Sequence, residues 1–449
     1  MSRAAPAACP EAPAALATGA LALALAFSGA AVAQTLDVGR PRTLVVGTPG
    51  GARTARVDGA RTGRSRDPLP ASSLRVQWQT PTGAPLDGIP VVDASRTAYV
   101  VGARGEVVAV DRDGGERWRV STGAVQPGPA ALLSDDTLVF ADALGEAVAV
   151  RNGAVRWRVR FGRGDASHPA PLALEDGGVI VATAHDLAAL DVDGQTRART
   201  TLPEAAAGPL VAANVNGGPR VVAIGSSGTA WSWAPGAAEP DRAGSFGGPI
   251  EGGAVLENAR TLVAVTSGGT QFTALDLVRG TATTRMQAQS GALWLGPPAA
   301  LAGSLFLTLL APTAELLVAV DSTGTETLRV HLVSRAPLFA ADGGVSPVVS
   351  LPHAAPLVDA SGTVAFASTD GTIGTATAAG GDGGGSGTVE LLTGACSGAR
   401  MTGGASDPGR VTGLAPLAPG VFIAACHGGM LVAIGSAPPG PGGPGAGPL

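Results

Sequence analysis

The chain has no lysine: all 30 of its basic residues are arginine. That excludes a Walker-type phosphate loop, which needs Gly-Lys-Ser/Thr. Charged residues of both signs reach only 14%, and the net charge is −5, so the broad basic footprint of a nucleic-acid binder is missing. Aromatics are scarce at 4%, with a single tyrosine. No G-x-S-x-G nucleophile elbow occurs. Beyond the first 33 residues no uninterrupted apolar run approaches the roughly 20 residues of a membrane-spanning helix. The most apolar stretch, Ala292 to Val320, is broken by Pro297, Pro298, Ser304, Thr308, Pro312 and Glu315.

What is abundant is glycine (67) and proline (35), beside 45% apolar residues that alternate along short runs. Turn formers between runs of period two indicate an ordered all-β protein. Residues 1–33 stand apart as a secretory signal peptide. Arg3 precedes the apolar run Ala14 to Phe27, and Ala31-Val32-Ala33 supplies the small-x-small cleavage site. The protein is therefore expected to be periplasmic or secreted. Residues 34–73 are rich in Arg and Gly (Arg40, Arg42, Arg53, Arg56, Arg61, Arg64 and Arg66 against Asp37, Asp58 and Asp67) and read as a solvated, extended arm.

The stretch Ala98 to Trp118, AYVVGARGEVVAVDRDGGERW, is a strand, a tight turn, a second strand, an Asp-Gly turn and a third strand carrying Trp. It repeats. Trp78, Trp118 and Trp157 fall 40 and 39 residues apart, and four short strands per unit of that length mark propeller blades. Units opening near Pro90, Pro129, Pro171, Pro209, Leu262, Leu305, Pro356 and Gly413 give eight blades over 74–435, about 45 residues each. The seventh carries a low-complexity insertion, Gly380 to Gly387, and a Pro/Gly-rich tail fills 436–449. The eighth blade lacks an outer strand, whereas Leu74 to Thr80 is an outer-type strand with nothing before it. Pairing the two predicts an eight-bladed β-propeller of four-stranded antiparallel blades, its ring closed by the N-terminal strand in the last blade. If the rim indoles are packed, Trp118→Ala costs about 3–5 kcal/mol.

The pattern at Ala98–Trp118 resembles the repeat of quinoprotein-like (PQQ-like) β-propellers. Asp58-Gly59-Ala60-Arg61-Thr62-Gly63-Arg64-Ser65 resembles the GD-x-x-R-T-G opening common in such chains. The resemblance spans roughly 74–435 and is strongest in blades 1 and 2. It implies an eight-bladed propeller from a superfamily that holds PQQ-dependent dehydrogenases and non-enzymatic envelope proteins. Among the latter is the lipoprotein of outer-membrane β-barrel assembly, whose anchor cysteine has no counterpart, because Cys9 precedes the apolar run. The family's dehydrogenases typically show adjacent cysteines and a Ca²⁺ site of Glu, Asn and Asp. Here Cys396 and Cys426 are 30 residues apart, no CxxCH occurs, and suitably placed carboxylates are sparse.

The Asp111-x-Asp113-Gly114 and Asp191-x-Asp193-Gly194 turns place Gly at position 4, not at position 6 as a Ca²⁺ loop does, and read as hairpin chemistry. His168, His185, His331, His353 and His427 lack ligand spacing. No catalytic, cofactor or metal residues are therefore assigned, and no cofactor is expected. Cys396 and Cys426 fall on one face of blade 8 and are expected to pair in an exported protein. That face, made of second-to-third-strand turns and blade connections, also carries Arg104, Asp142, His185, Asp186, Ser226, Ser227, Ser267, Thr369, Asp370 and His427. It is the candidate binding face.

The function expected is a monomeric, non-catalytic scaffold that binds an envelope protein or peptide, with no nucleic acid and no transmembrane segment. The competing reading is an enzyme that uses the channel mouth: a PQQ-dependent dehydrogenase, or one acting on carbohydrate or another small molecule.

Overall fold

A computed structural model describes residues 53–165, 169–215, 217–334, 354–377, 388–396 and 409–436. The signal peptide, Arg40 and Arg42, His168, His353, the Gly380–Gly387 insertion and the tail beyond Ser436 lie outside the described residues.

Alternating Val, Ala and Leu, punctuated by Gly turns, fold into eight four-stranded antiparallel sheets. Blade 1 shows the unit: Val91–Val92, Ala98–Val101, Glu106–Val110 and Glu116–Ser121, running from hub to rim. Seven blades take their strands in sequence order. The eighth combines Val411–Ala418, Val421–Cys426 and Met430–Ser436 with Leu74–Pro81. Leu74 lies opposite Ser436 and Pro81 opposite Met430, so the two ends of the propeller are joined by a full strand ladder. Ser436, read in the sequence as tail, is the last residue of that ladder.

In blades 2 and 3 the inner two strands are buried on both faces and read as continuous apolar runs. The core is accordingly a series of layers between blades. Val91, Tyr99 and Val107 of blade 1 pack with Leu132, Phe140 and Val148 of blade 2. Val139, Ala147 and Phe161 then pack with Val179, Val181 and Leu190 of blade 3.

At the rim, each Trp of the early repeats reaches the following blade. Trp78 donates from Nε1 to the Arg112 carbonyl at 2.8 Å, and Trp157 to the Val192 carbonyl at 2.9 Å. These carbonyls sit in the Asp-Gly turns, and the indoles lie on the turn glycines. A Cβ on Gly114 (φ 90°) or Gly194 (φ 80°) would come within 2.7 Å of Trp78 or Trp157. Glycine is needed there both for its left-handed φ and for the approach of the ring.

Residues 53–73 correct the reading of a solvated arm, whose first part, 34–52, lies outside the described residues. Ala55 and Arg61 have no exposed surface, and Arg53, Arg56, Val57, Ala60, Ser65 and Leu69 are buried. This segment lies against the inner strands of the ring and bonds to blade after blade. The Arg53 carbonyl accepts from Leu132 N, Gly59 O from Ala212 N, Ala60 O from Leu256 N, Thr62 O from Ala300 N, Gly63 O from Val358 N, and Pro68 O from Gly420 N. Arg61 donates to the carbonyls of Leu210, Ala55, Ala170 and Pro171 at 2.7–2.9 Å. Low hydrophobicity does not mean solvation in this segment. The hub offers backbone polar groups rather than apolar side chains, and a guanidinium with five donors satisfies carbonyls that leucine could not.

Candidate functional site

Several contacts of residues 53–69 are made where the first strand of a blade turns into the second, as with Arg53 to the Leu133 carbonyl and Asp136, and Leu69 N to Asp359, while Arg61 reaches the entering ends of the first strands of blades 3 and 4. The opposite face is formed by the turns between second and third strands and by the blade connections. It carries the candidate binding residues.

The structure divides those residues into two groups. In the first, acidic side chains hold neighbouring backbone. Asp142, 1% exposed, accepts from Leu144 N and Glu146 N in its own turn and from Val125 N of the connection entering blade 2. Asp186, 3% exposed, accepts from Arg163 N of the next connection at 2.9 Å and from Arg199 Nη2 at 2.8 Å. Its burial alone would raise its pKa. The bonds from Arg199 and Arg163 outweigh that and hold it below the usual carboxylate range. Thr369 gives both its amide and its hydroxyl to Glu315 of blade 6.

The second group faces outward. Arg104, His185, Ser226, Ser227, Ser267 and Asp370 are exposed. His427, partly exposed, sets Nδ1 2.7 Å from Asp87 Oδ1, and its amide donates to the Arg410 carbonyl. Asp370 accepts from Thr372 N, which tightens its own turn. Beside His427, Cys426 is joined to Cys396 in a disulfide with Cα atoms 5.8 Å apart.

Three acids on this face were missed in the sequence. Glu204, in the connection after blade 3, accepts from Ser227 N at 2.8 Å and Trp231 Nε1 at 2.9 Å. Glu315 and Asp87 complete the set. Glu315 did carry a signal, being an acid inside the apolar strand Ala314–Asp321. Among the described residues no cluster of three or more His, Cys, Asp or Glu is arranged to hold a metal ion. What these acids do physically is fix turns of blades 2, 3, 4 and 7 to neighbouring connections or turns, leaving serine, histidine and arginine pointing to solvent.

Residues 71–256 match a family model described as "Outer membrane protein assembly factor BamB". The repeat resemblance thus holds from the closing strand through blade 4 into blade 5. Among solved structures, BamB from Moraxella catarrhalis superposes with a TM-score of 0.53 at 16% identity, covering 81% of this chain and 98% of its own. A computationally designed protein, Ika8, gives 0.55 at 14% identity, covering 82% and 99%. At such identities these two show the fold alone. No curated protein matches the chain in sequence.

Proposed function

We propose, from the premise of a β-propeller built of PQQ-like repeats, that this protein is a non-catalytic binding module of the cell envelope. In this reading it is exported through its N-terminal leader, stays monomeric and holds a protein or peptide partner on the turn face. The observation that carries the reading is the use made of the acids there. Asp142, Asp186, Glu204 and Glu315 are engaged with backbone amides or side chains of adjacent turns and connections. Such bonds stiffen a display surface, and they leave these carboxylates little capacity to ligate an ion or move a proton. The family model matched over 71–256 describes an assembly factor, which favours the same class of role.

The test is capture from envelope extract by the full mature chain, set against a variant with Arg104→Glu and Ser227→Arg on the turn face. One stoichiometric partner, lost with the variant, is expected. Recovery of the same proteins by both would count against the turn face. The enzyme reading has its own check: PQQ with Ca²⁺ should leave the melting temperature unchanged, and a clear upward shift would favour a quinoprotein.

A further inference from the structure

The outer-strand Trp recurs in the closing strand and in blades 1 and 2, and is absent from blade 3 onward to blade 7. Trp118 lies opposite Ala109 and Trp157 opposite Ala149, each between two arginines of an outer strand. In blade 3 the corresponding residue, between Arg197 and Arg199 and opposite Ala189, is Ala198. A methyl group stands where the indole would rest on the next blade. Blade 4 responds from its side. Its third strand, Thr229–Trp233, carries two tryptophans, and its following turn is longer. Trp233 is fully buried and donates to the Ala237 carbonyl. Trp231 stays partly exposed, its Nε1 held by Glu204 at 2.9 Å.

Between blade 3 and this turn lies a cleft of about 740 Å³, lined by Arg199, Thr200, Thr201, Trp231, Glu239 and Pro240 among others. That volume falls within the range of small-molecule sites. One wall is an indole of fixed orientation. The rim holds the exposed side chains of Arg199, Thr201 and Glu239, with Arg199 paired to Asp186 at 2.8 Å. An apolar platform edged by hydrogen-bonding groups of both kinds matches a pyranose ring, which has a C–H face and a periphery of hydroxyls. An extended peptide is the poorer fit. Beyond Thr201 the chain offers a peptide backbone little, because Leu202 N is already given to the His185 carbonyl and Pro203 has no N–H.

We propose that the cleft between blades 3 and 4 binds a short neutral oligosaccharide, with Trp231 as the stacking platform and Arg199 and Glu239 bonding its hydroxyls. The cleft adjoins the turn face, because Trp231 is held by Glu204 and Arg199 by Asp186, but sugar titration and partner capture are separate measurements, so failure of the sugar to bind would leave the partner-binding reading standing. The test is calorimetric and saturation-transfer NMR titration of the full mature chain with cellotetraose, maltotetraose and N-acetylchitotetraose. At least one should bind with a dissociation constant of about 1 mM or below, and Trp231→Ala should weaken it by about tenfold or more. Should Trp231→Ala fail to fold, the surface variant Glu239→Gln keeps the test, with an expected loss of about threefold or more. Three outcomes would overturn the proposal: no binding by any of the three sugars, binding unaffected by both variants, or displacement of the sugar by an alternating Thr-Val heptapeptide.

Discussion

At the scale of single residues, the heaviest structural role falls to an arginine in a segment that looked solvated. Arg61 is fully buried, and burial draws its pKa down to about 10, against which Asp58 pulls upward. It remains charged at neutral pH and satisfies four carbonyls. Arg61→Ala should therefore cost about 3 kcal/mol or more, because it strands buried acceptors. Arg61→Lys should recover only part of this, since an ammonium cannot reproduce the fork. Chemical denaturation of the two variants checks both. Asp186 sets a pH dependence. Its folded pKa is depressed, so its contribution is present above the ordinary aspartate value of about 4 and is lost as pH falls through the folded value. Melting curves in acid should show that loss, and Asp186→Asn should flatten it. The Asp-Gly turns were legible as turns from residue type alone. The use of Arg61 was not, because a guanidinium in a hub and one in solvent have the same local sequence.

At the scale of the strand and blade, the legible part was large. Period-two alternation and the recurrence of Trp indicate the blades, their number and the pairing of Leu74–Thr80 into the last blade, where the ladder extends to Pro81 and Ser436. The sequence also carried the glycine that follows each Asp turn, although not its reason. Gly114 and Gly194 yield to an indole from the preceding blade, a contact between residues 36 and 37 positions apart. Gly194→Ala should destabilise by about 2 kcal/mol or more, combining a strained φ with the clash against Trp157. Trp118 is only partly buried, so Trp118→Ala should cost about 2–3 kcal/mol, below the cost for a core indole. Thermal unfolding of both variants is the measurement. The outer strands of blades 3 to 7 lack the Trp, which leaves the later repeats fainter, and Ala198 of blade 3 shows what such a loss leaves behind.

At the scale of the whole molecule, the ring is held at several points: by the strand ladder joining its ends, by residues 53–69 bonded to the inner strands, and by the Cys396–Cys426 disulfide. Reducing the disulfide, which spans 30 residues, should lower stability by about 2–4 kcal/mol in denaturant titrations without opening the ring. The turn face was legible as a face, because blade topology assigns turns to sides. The division of its residues into those that lock turns and those that point outward needed the structure. The central claim is that this locked face holds a partner protein. Photo-crosslinkers placed at Arg104 and Ser227 on the turn face, and at Asp113 on the opposite face, test it directly in intact cells. The account predicts one partner crosslinked from the first two positions and not from Asp113. Crosslinks from Asp113 alone, or none from Arg104 and Ser227, would contradict it.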